Sequence, residues 1–275
     1  MTYRELCARL EAHHIENADW DAACLLGHFC GADLLSLRAA PDRDYSSPDL
    51  DSAVLRREAH EPLQYVIGEW DFYRQTYTVT PDCLIPRPDT EILVEEAIKL
   101  LPRGAHFADL CTGSGCIAVS TLAERGDTRA TAFEKFPNTL ALAKKNAKRN
   151  GVSERFAGVL ADVLEPPALP DACFDAILSN PPYIATREIE DLSAEVHAEP
   201  IAALDGGADG LLFYRAILKN WTRTLKKDGF ILFEIVYDQG EALLTLAKSH
   251  GFDATVKRDL GGHDRVVTLK FSRKD

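Results

Sequence analysis

Four consecutive residues, Asn180-Pro181-Pro182-Tyr183, carry the most specific chemistry in this chain. The prolines remove backbone donors and fix φ, so the Asn180 side-chain amide and the Pro181 carbonyl form a rigid pair of acceptors. An incoming NH₂ group has two hydrogens to offer such a pair. The lone pair of a planar amide or aryl amine is delocalised, which makes it a poor nucleophile. Gripping both hydrogens favours the geometry in which that lone pair faces an activated methyl group. The Tyr183 ring would pack against the planar group and exclude water. Taken alone, the tetrapeptide is equally well explained as a strand exit chosen for stiffness.

A second constellation begins at Asp109 and runs through Thr112, Gly113, Ser114 and Gly115 to Ala118, a glycine-rich turn between an apolar strand and a helix. Glycine there lets the backbone approach a ligand closely. Glu134 follows Gly113 by 21 residues, at the end of the next strand, where its carboxylate could accept hydrogen bonds from both ribose hydroxyls. Asp162 closes the third strand, where an acid can take the exocyclic amine of adenine, although a helix cap is the equal alternative. The glycine turn alone suits an NAD enzyme as well as any other nucleotide site, and the Asn180 loop separates the two. Hydride transfer has no use for twin acceptors around an amine.

These residues need a frame, and the pattern from residue 105 onward supplies one. Apolar segments at 105–111, 129–135, 156–162, 174–180 and 229–236 alternate with helical spacing at 116–125, 137–150, 209–225 and 239–250, and two last strands lie at 253–260 and 265–271. That alternation predicts an α/β fold, a doubly wound and mostly parallel sheet, with one of the two last strands antiparallel. The glycine turn then follows the first strand and the Asn180 loop the fourth, at neighbouring carboxyl ends. Upstream, residues 2–14, 19–30 and 47–59 carry apolar residues at helical spacing, so the first part reads as a small helical bundle. Trp70 to Ile85 alternates aromatic and β-branched residues with polar ones, which predicts a hairpin turning at Pro81-Asp82.

Net charge is -12, and residues 1–75 hold 7 Arg, no Lys and 14 acidic residues. An acid excess opposes binding along a phosphate backbone and suits a small-molecule site or a basic protein partner. The seven cysteines form no CxxC pair, so buried reduced thiols are expected rather than disulfides or zinc. The amino terminus lacks the apolar run of a signal peptide, and no stretch is long enough to span a bilayer, so a cytoplasmic protein without membrane contact is expected.

Beyond these patterns, the sequence closely resembles the PrmC/HemK family, the release factor glutamine methyltransferases. The resemblance rests on Glu61-Pro62-Leu63-Gln64-Tyr65-Val66-Ile67-Gly68, Leu84-Ile85-Pro86-Arg87-Pro88-Asp89-Thr90-Glu91, the Asp109 to Gly115 turn, the Asn180 loop, Glu199-Pro200, the run Ala203 to Leu211, and Asp264-Arg265-Val266. It implies a seven-stranded methyltransferase domain at 89–275, a linker at 69–88, and a helical domain at 1–68 that helps dock a release factor. It further implies S-adenosyl-L-methionine as cofactor and a Gly-Gly-Gln glutamine as target, with a monomer expected and no metal. Asp109, Thr112, Gly113, Ser114, Gly115, Glu134, Asp162 and Asn180 would then contact the cofactor. The substrate would meet Asn180, Pro181, Pro182, Tyr183, Arg87 and Glu199.

Several points stay open at this level. Arg87 reads equally as a substrate contact or an inter-domain clamp, Asp89 or Thr90 as a helix cap, and Glu199 as a hydrogen-bond partner of Asn180 or of a substrate amide, or as a surface carboxylate. The chain departs from the family pattern at Glu134, where Asp is usual, and at Val236, where glycine is common. Alternatives are a methyltransferase acting on a ribosomal-protein glutamine, one acting on nucleic-acid amines, an NAD enzyme, and an inactive binding module.

Overall fold

A computed structural model describes residues 1–272 of the 275. The chain folds as two units, residues 1–70 with 193–198, and residues 71–192 with 199 onward.

The first unit is helical, formed by α1 (Tyr3–Ala12), α2 (Ala18–Cys30), α3 (Leu34–Ala39), α4 (Leu50–Glu58) and α5 (Leu63–Ile67). Thr2 and Glu5 satisfy each other's backbone N–H groups in a capping box at the start of α1. Gly31, with φ at 67°, ends α2 in the left-handed conformation that other residues resist. Leu6, Leu10, Leu25, Leu26, Leu37 and Val54 make its core. The short helices α3 and α5 escape a periodicity reading because each spans too few turns to repeat an apolar spacing. Buried Arg57 pairs with Asp21 at 2.6 Å and also with Glu195, which ties the 193–198 segment to the bundle.

The second unit carries a seven-stranded sheet in the order β5-β4-β3-β6-β7-β9-β8. Its elements are α6 (Glu91–Leu100), β3 (His106–Leu110), α7 (Cys116–Glu124), β4 (Arg129–Glu134), α8 (Pro137–Arg149), β5 (Phe156–Leu160), β6 (Phe174–Ser179), α9 (Ala194–His197, in the segment grouped with the first unit), α10 (Leu212–Asn220), β7 (Leu225–Glu234), α11 (Gly240–Ser249), β8 (Phe252–Arg258) and β9 (Asp264–Phe271). Only β9 runs against the others, pairing antiparallel with both β7 and β8. Alternate residues face opposite layers. Ala176 and Leu178 of β6 join the core under α6, α7 and α8, while Ile177 joins the one under α10 and α11.

Two expectations change. The hairpin of β1 (Glu69–Phe72) and β2 (Gln75–Thr78) turns at Tyr73-Arg74, not at Pro81-Asp82. So tight a turn needs a positive φ, and Tyr73 adopts 58° while its N–H donates to Glu91 at 2.8 Å. The helix expected at 209–225 is confined to α10 and a short 3₁₀ turn, because Gly207 and Gly210 both take positive φ before it. The seven cysteines, all among the described residues, form no disulfide, and Cys83 and Cys116 are buried.

Candidate active site

Strand order places the glycine turn and the Asn180 loop side by side. Leu110 at the end of β3 pairs with Phe133 of β4 on one side and with Ser179 of β6 on the other, and the Ser179 hydroxyl donates to the Leu110 carbonyl at 2.7 Å. The connections leave β3 and β6 on opposite faces, which opens a cleft at their carboxyl ends. A cavity of about 410 Å³ lies there, within the range of small-molecule sites.

Of the residues singled out by sequence, Thr112, Gly113, Ser114, Glu134, Asp162, Asn180, Pro182 and Arg87 share its wall. Asp109, Gly115, Pro181, Tyr183 and Glu199 stand outside it. Asp109 is fully buried and organises the turn, accepting the Thr112 hydroxyl at 2.6 Å and the Ala118 N–H at 3.2 Å through Oδ2. Its Oδ1 has no partner, and burial pushes its pKa up to about 7. At Gly115, with φ at 83°, an added Cβ would meet Ala143 of α8 at 3.3 Å, so this glycine serves helix packing. Gly113 has open space above it.

Glu134 is buried, and burial raises its pKa against three backbone donors. Gly113 N–H reaches one oxygen at 3.1 Å, and Lys135 and Phe136 reach the other at 2.9 and 3.1 Å. The extra methylene relative to Asp is thereby accommodated. Asp162 accepts the Leu164 N–H at 2.9 Å and pairs with Lys135 at 2.8 Å. Glu199 does not reach Asn180. It accepts the Ile85 N–H at 2.9 Å and pairs with Arg87. The hydrogen bond to Asn180 comes from elsewhere: its Nδ2 donates to the Thr90 hydroxyl at 3.2 Å. Thr90 caps no helix with its side chain.

Sequence reasoning missed what braces the Asn180 loop. The carbonyl of Leu204 takes the Ile184 N–H, and Gly206 and Gly207 pair with Ile184 and Thr186. A Cβ on Gly206 would sit 2.7 Å from the Tyr183 Cα, and one on Gly210 would strike the Tyr183 carbonyl. Those glycines are required by close approach. Gln239 donates to that carbonyl at 2.9 Å, and its Oε1 accepts from Val236 N–H at 3.4 Å. Val236 has no positive φ, so the branched residue needs no glycine-like backbone here. Tyr183 is partly buried against the core under α10, and burial raises its hydroxyl pKa well above the usual value.

A doubly wound sheet with this cleft, a turn that admits a ligand and an amide-bearing loop beside it define a methyltransferase. Known proteins agree, since residues 88–213 match the methyltransferase small domain and residues 2–68 the PrmC N-terminal domain. The chain belongs to the release factor glutamine methyltransferase family. A relative of that name from Geobacter sulfurreducens is 40% identical over 92% of this chain and 89% of its own, and one from Moorella thermoacetica is 36% identical over 98% and 97%. Among solved structures, a ribosomal protein L11 methylase from Lactobacillus delbrueckii shares the fold with a TM-score of 0.52 at 18% identity, covering 71% of this chain and 84% of that one. Among the described residues no helix is long and apolar enough to cross a membrane.

Proposed function

We propose that the cavity holds S-adenosyl-L-methionine and that the protein transfers its methyl group to the side-chain amide nitrogen of a Gly-Gly-Gln glutamine in a peptide chain release factor, in the cytoplasm. The observation that carries this reading is the shared wall, with Gly113, Glu134 and Asp162 on the same cavity as Asn180. The residues present fit the cofactor. Glu134 offers a preorganised carboxylate to ribose hydroxyls, Gly113 leaves room for close approach, and Asp162 on the same wall carries an acceptor suited to an adenine amine. When bound, the cofactor supplies a methyl group on a positively charged sulfur.

The protein's own part is positioning. Asn180 Oδ1 and the Pro181 carbonyl take the two hydrogens of the glutamine amide, and the glycines at 206 and 210 hold the loop that presents them. No strong base is needed, because the nitrogen sheds its proton readily once it carries the methyl. The acidic amino-terminal domain supplies docking for a release factor, whose ribosome-binding surface is expected to be basic. A ribosomal-protein glutamine is the weaker reading, because the whole-length relatives carry the release-factor name.

Calorimetric titration tests the cofactor. S-adenosyl-L-methionine or S-adenosylhomocysteine should bind without added metal, and binding of NAD in their place would overturn the proposal.

A further inference from the structure

The Asn180 amide acts as an acceptor only if its oxygen, and not its nitrogen, faces the substrate. An amide can flip, and a proline on its carboxyl side fixes the backbone without choosing between the two orientations. The choice has to come from a neighbour. Thr90 is that neighbour: it lies 90 positions away, is 2% exposed, and takes the Asn180 Nδ2 hydrogen on its hydroxyl oxygen. A hydroxyl can itself donate, so Thr90 selects one orientation only if its single proton is engaged elsewhere.

Glu234 is the neighbour proposed for that role. It ends β7, is 2% exposed, and has a carboxyl oxygen, Oε2, with no partner. Burial raises its pKa, and the nearby Thr90 side chain opposes that rise, so the carboxyl lies within reach of the hydroxyl. A buried carboxyl keeps an acceptor oxygen whether or not it is protonated, and by taking the Thr90 proton it would leave the hydroxyl lone pair for Asn180. Asn180 Oδ1 receives no hydrogen bond from any described residue, and Asn180 and Thr90 both line the cavity.

We propose that Thr90, backed by Glu234, is a positioning residue that holds Asn180 Oδ1 toward the substrate amide. The inference rests on the function proposed above. It also accounts for the Thr90 hydroxyl, which a cap would have spent on α6 and which here is turned to the site.

The test compares Thr90→Val, nearly isosteric but without the hydroxyl, with Thr90→Ser, which keeps it, on an intact release factor. Cofactor titration and thermal unfolding report folding for each. Thr90→Val should lower kcat by about 10–100-fold with KM and cofactor affinity nearly unchanged, and Thr90→Ser should stay within about threefold of wild type. Should Thr90→Val not fold, Thr90→Ala takes its place. An unchanged kcat in the folded variant, an equal loss in Thr90→Ser, or unfolding of both Val and Ala variants would overturn the positioning role. Absence of methyl transfer by the wild-type protein would instead overturn the functional reading beneath it.

Discussion

Arg87 and Glu199 stand 112 positions apart and form an ion pair in which the arginine side chain is 35% exposed and the glutamate 1%. The glutamate also takes the Ile85 N–H, so the pair fastens the Pro86-Arg87-Pro88 segment to the loop ahead of Pro200, and both segments border the cavity. Arg87→Ala leaves a carboxyl buried with one backbone partner. The loss should be about 2 kcal/mol, below that of a fully buried pair because water screens the arginine. It should be larger at pH 8 than at pH 5, where the stranded carboxyl takes up a proton. Urea unfolding at the two pH values checks this, and an equal loss at both would show that Glu199 is not burdened by its charge.

Glu134 and Asn180 lie on one wall but should fail differently. Glu134→Gln should weaken S-adenosyl-L-methionine binding by roughly 10–100-fold, the worth of a charge-assisted hydrogen bond. Asn180→Ala should leave that affinity near normal and lower methyl transfer by roughly 10²–10³-fold. Calorimetry and single-turnover kinetics separate the two effects. Loss of cofactor affinity in Asn180→Ala equal to its loss of rate would mean that the residue serves the wrong ligand in this account.

Asp109 and Glu234 are both buried with an unpartnered oxygen, and burial lifts each pKa to about 7. In the unfolded chain both ionise near 4, so between about pH 4 and 7 the unfolded state gives up protons that the folded state keeps. Stability should therefore fall as pH rises through that window, by up to roughly 3–4 kcal/mol for each group. His106 works in the opposite sense, since burial lowers its pKa and it resists charging as pH falls below its ordinary value. Asp127 and Asp209, whose pKa values are held down by Arg125 and Arg215, matter only in stronger acid. Tm measured from pH 5 to 8 should drop, and Asp109→Asn with Glu234→Gln should flatten the curve. An unaltered slope in the double variant would place the titration elsewhere.

The frame of the site was legible because its signals are local. A glycine turn after one strand, an acid after the next and a stiff loop after the fourth are each a few residues long, and the strand alternation sets their order. The partners of those residues were not legible. Thr90, Gln239 and Gly210 reach the Asn180 loop through chain reversals that no periodicity encodes. Glu199 shows the same limit from the other side. Its nearness to the loop suggested Asn180 as partner, whereas folding delivered Arg87. The hairpin turn was misplaced because Pro81-Asp82 is a strong turn signal in sequence, and Tyr73 a poor one, yet tertiary contact with Glu91 holds Tyr73 at positive φ.

The acid excess of the first 75 residues, seven units by formal charge, should show in kinetics. If the amino-terminal domain draws in a basic release factor, kcat/KM should fall as salt rises while kcat holds steady. Replacing the exposed acids Glu11, Glu16 and Asp51 with lysine should lower kcat/KM and reduce its dependence on salt. Equal salt slopes in wild type and variant would remove these acids from the encounter.

Mass spectrometry of a release factor incubated with the protein and S-adenosyl-L-methionine tests the central claim most directly. One methyl group should appear on the side-chain nitrogen of the Gly-Gly-Gln glutamine, and none when that glutamine is replaced by alanine. An unmodified release factor, or a methyl group on any other residue, would contradict the account.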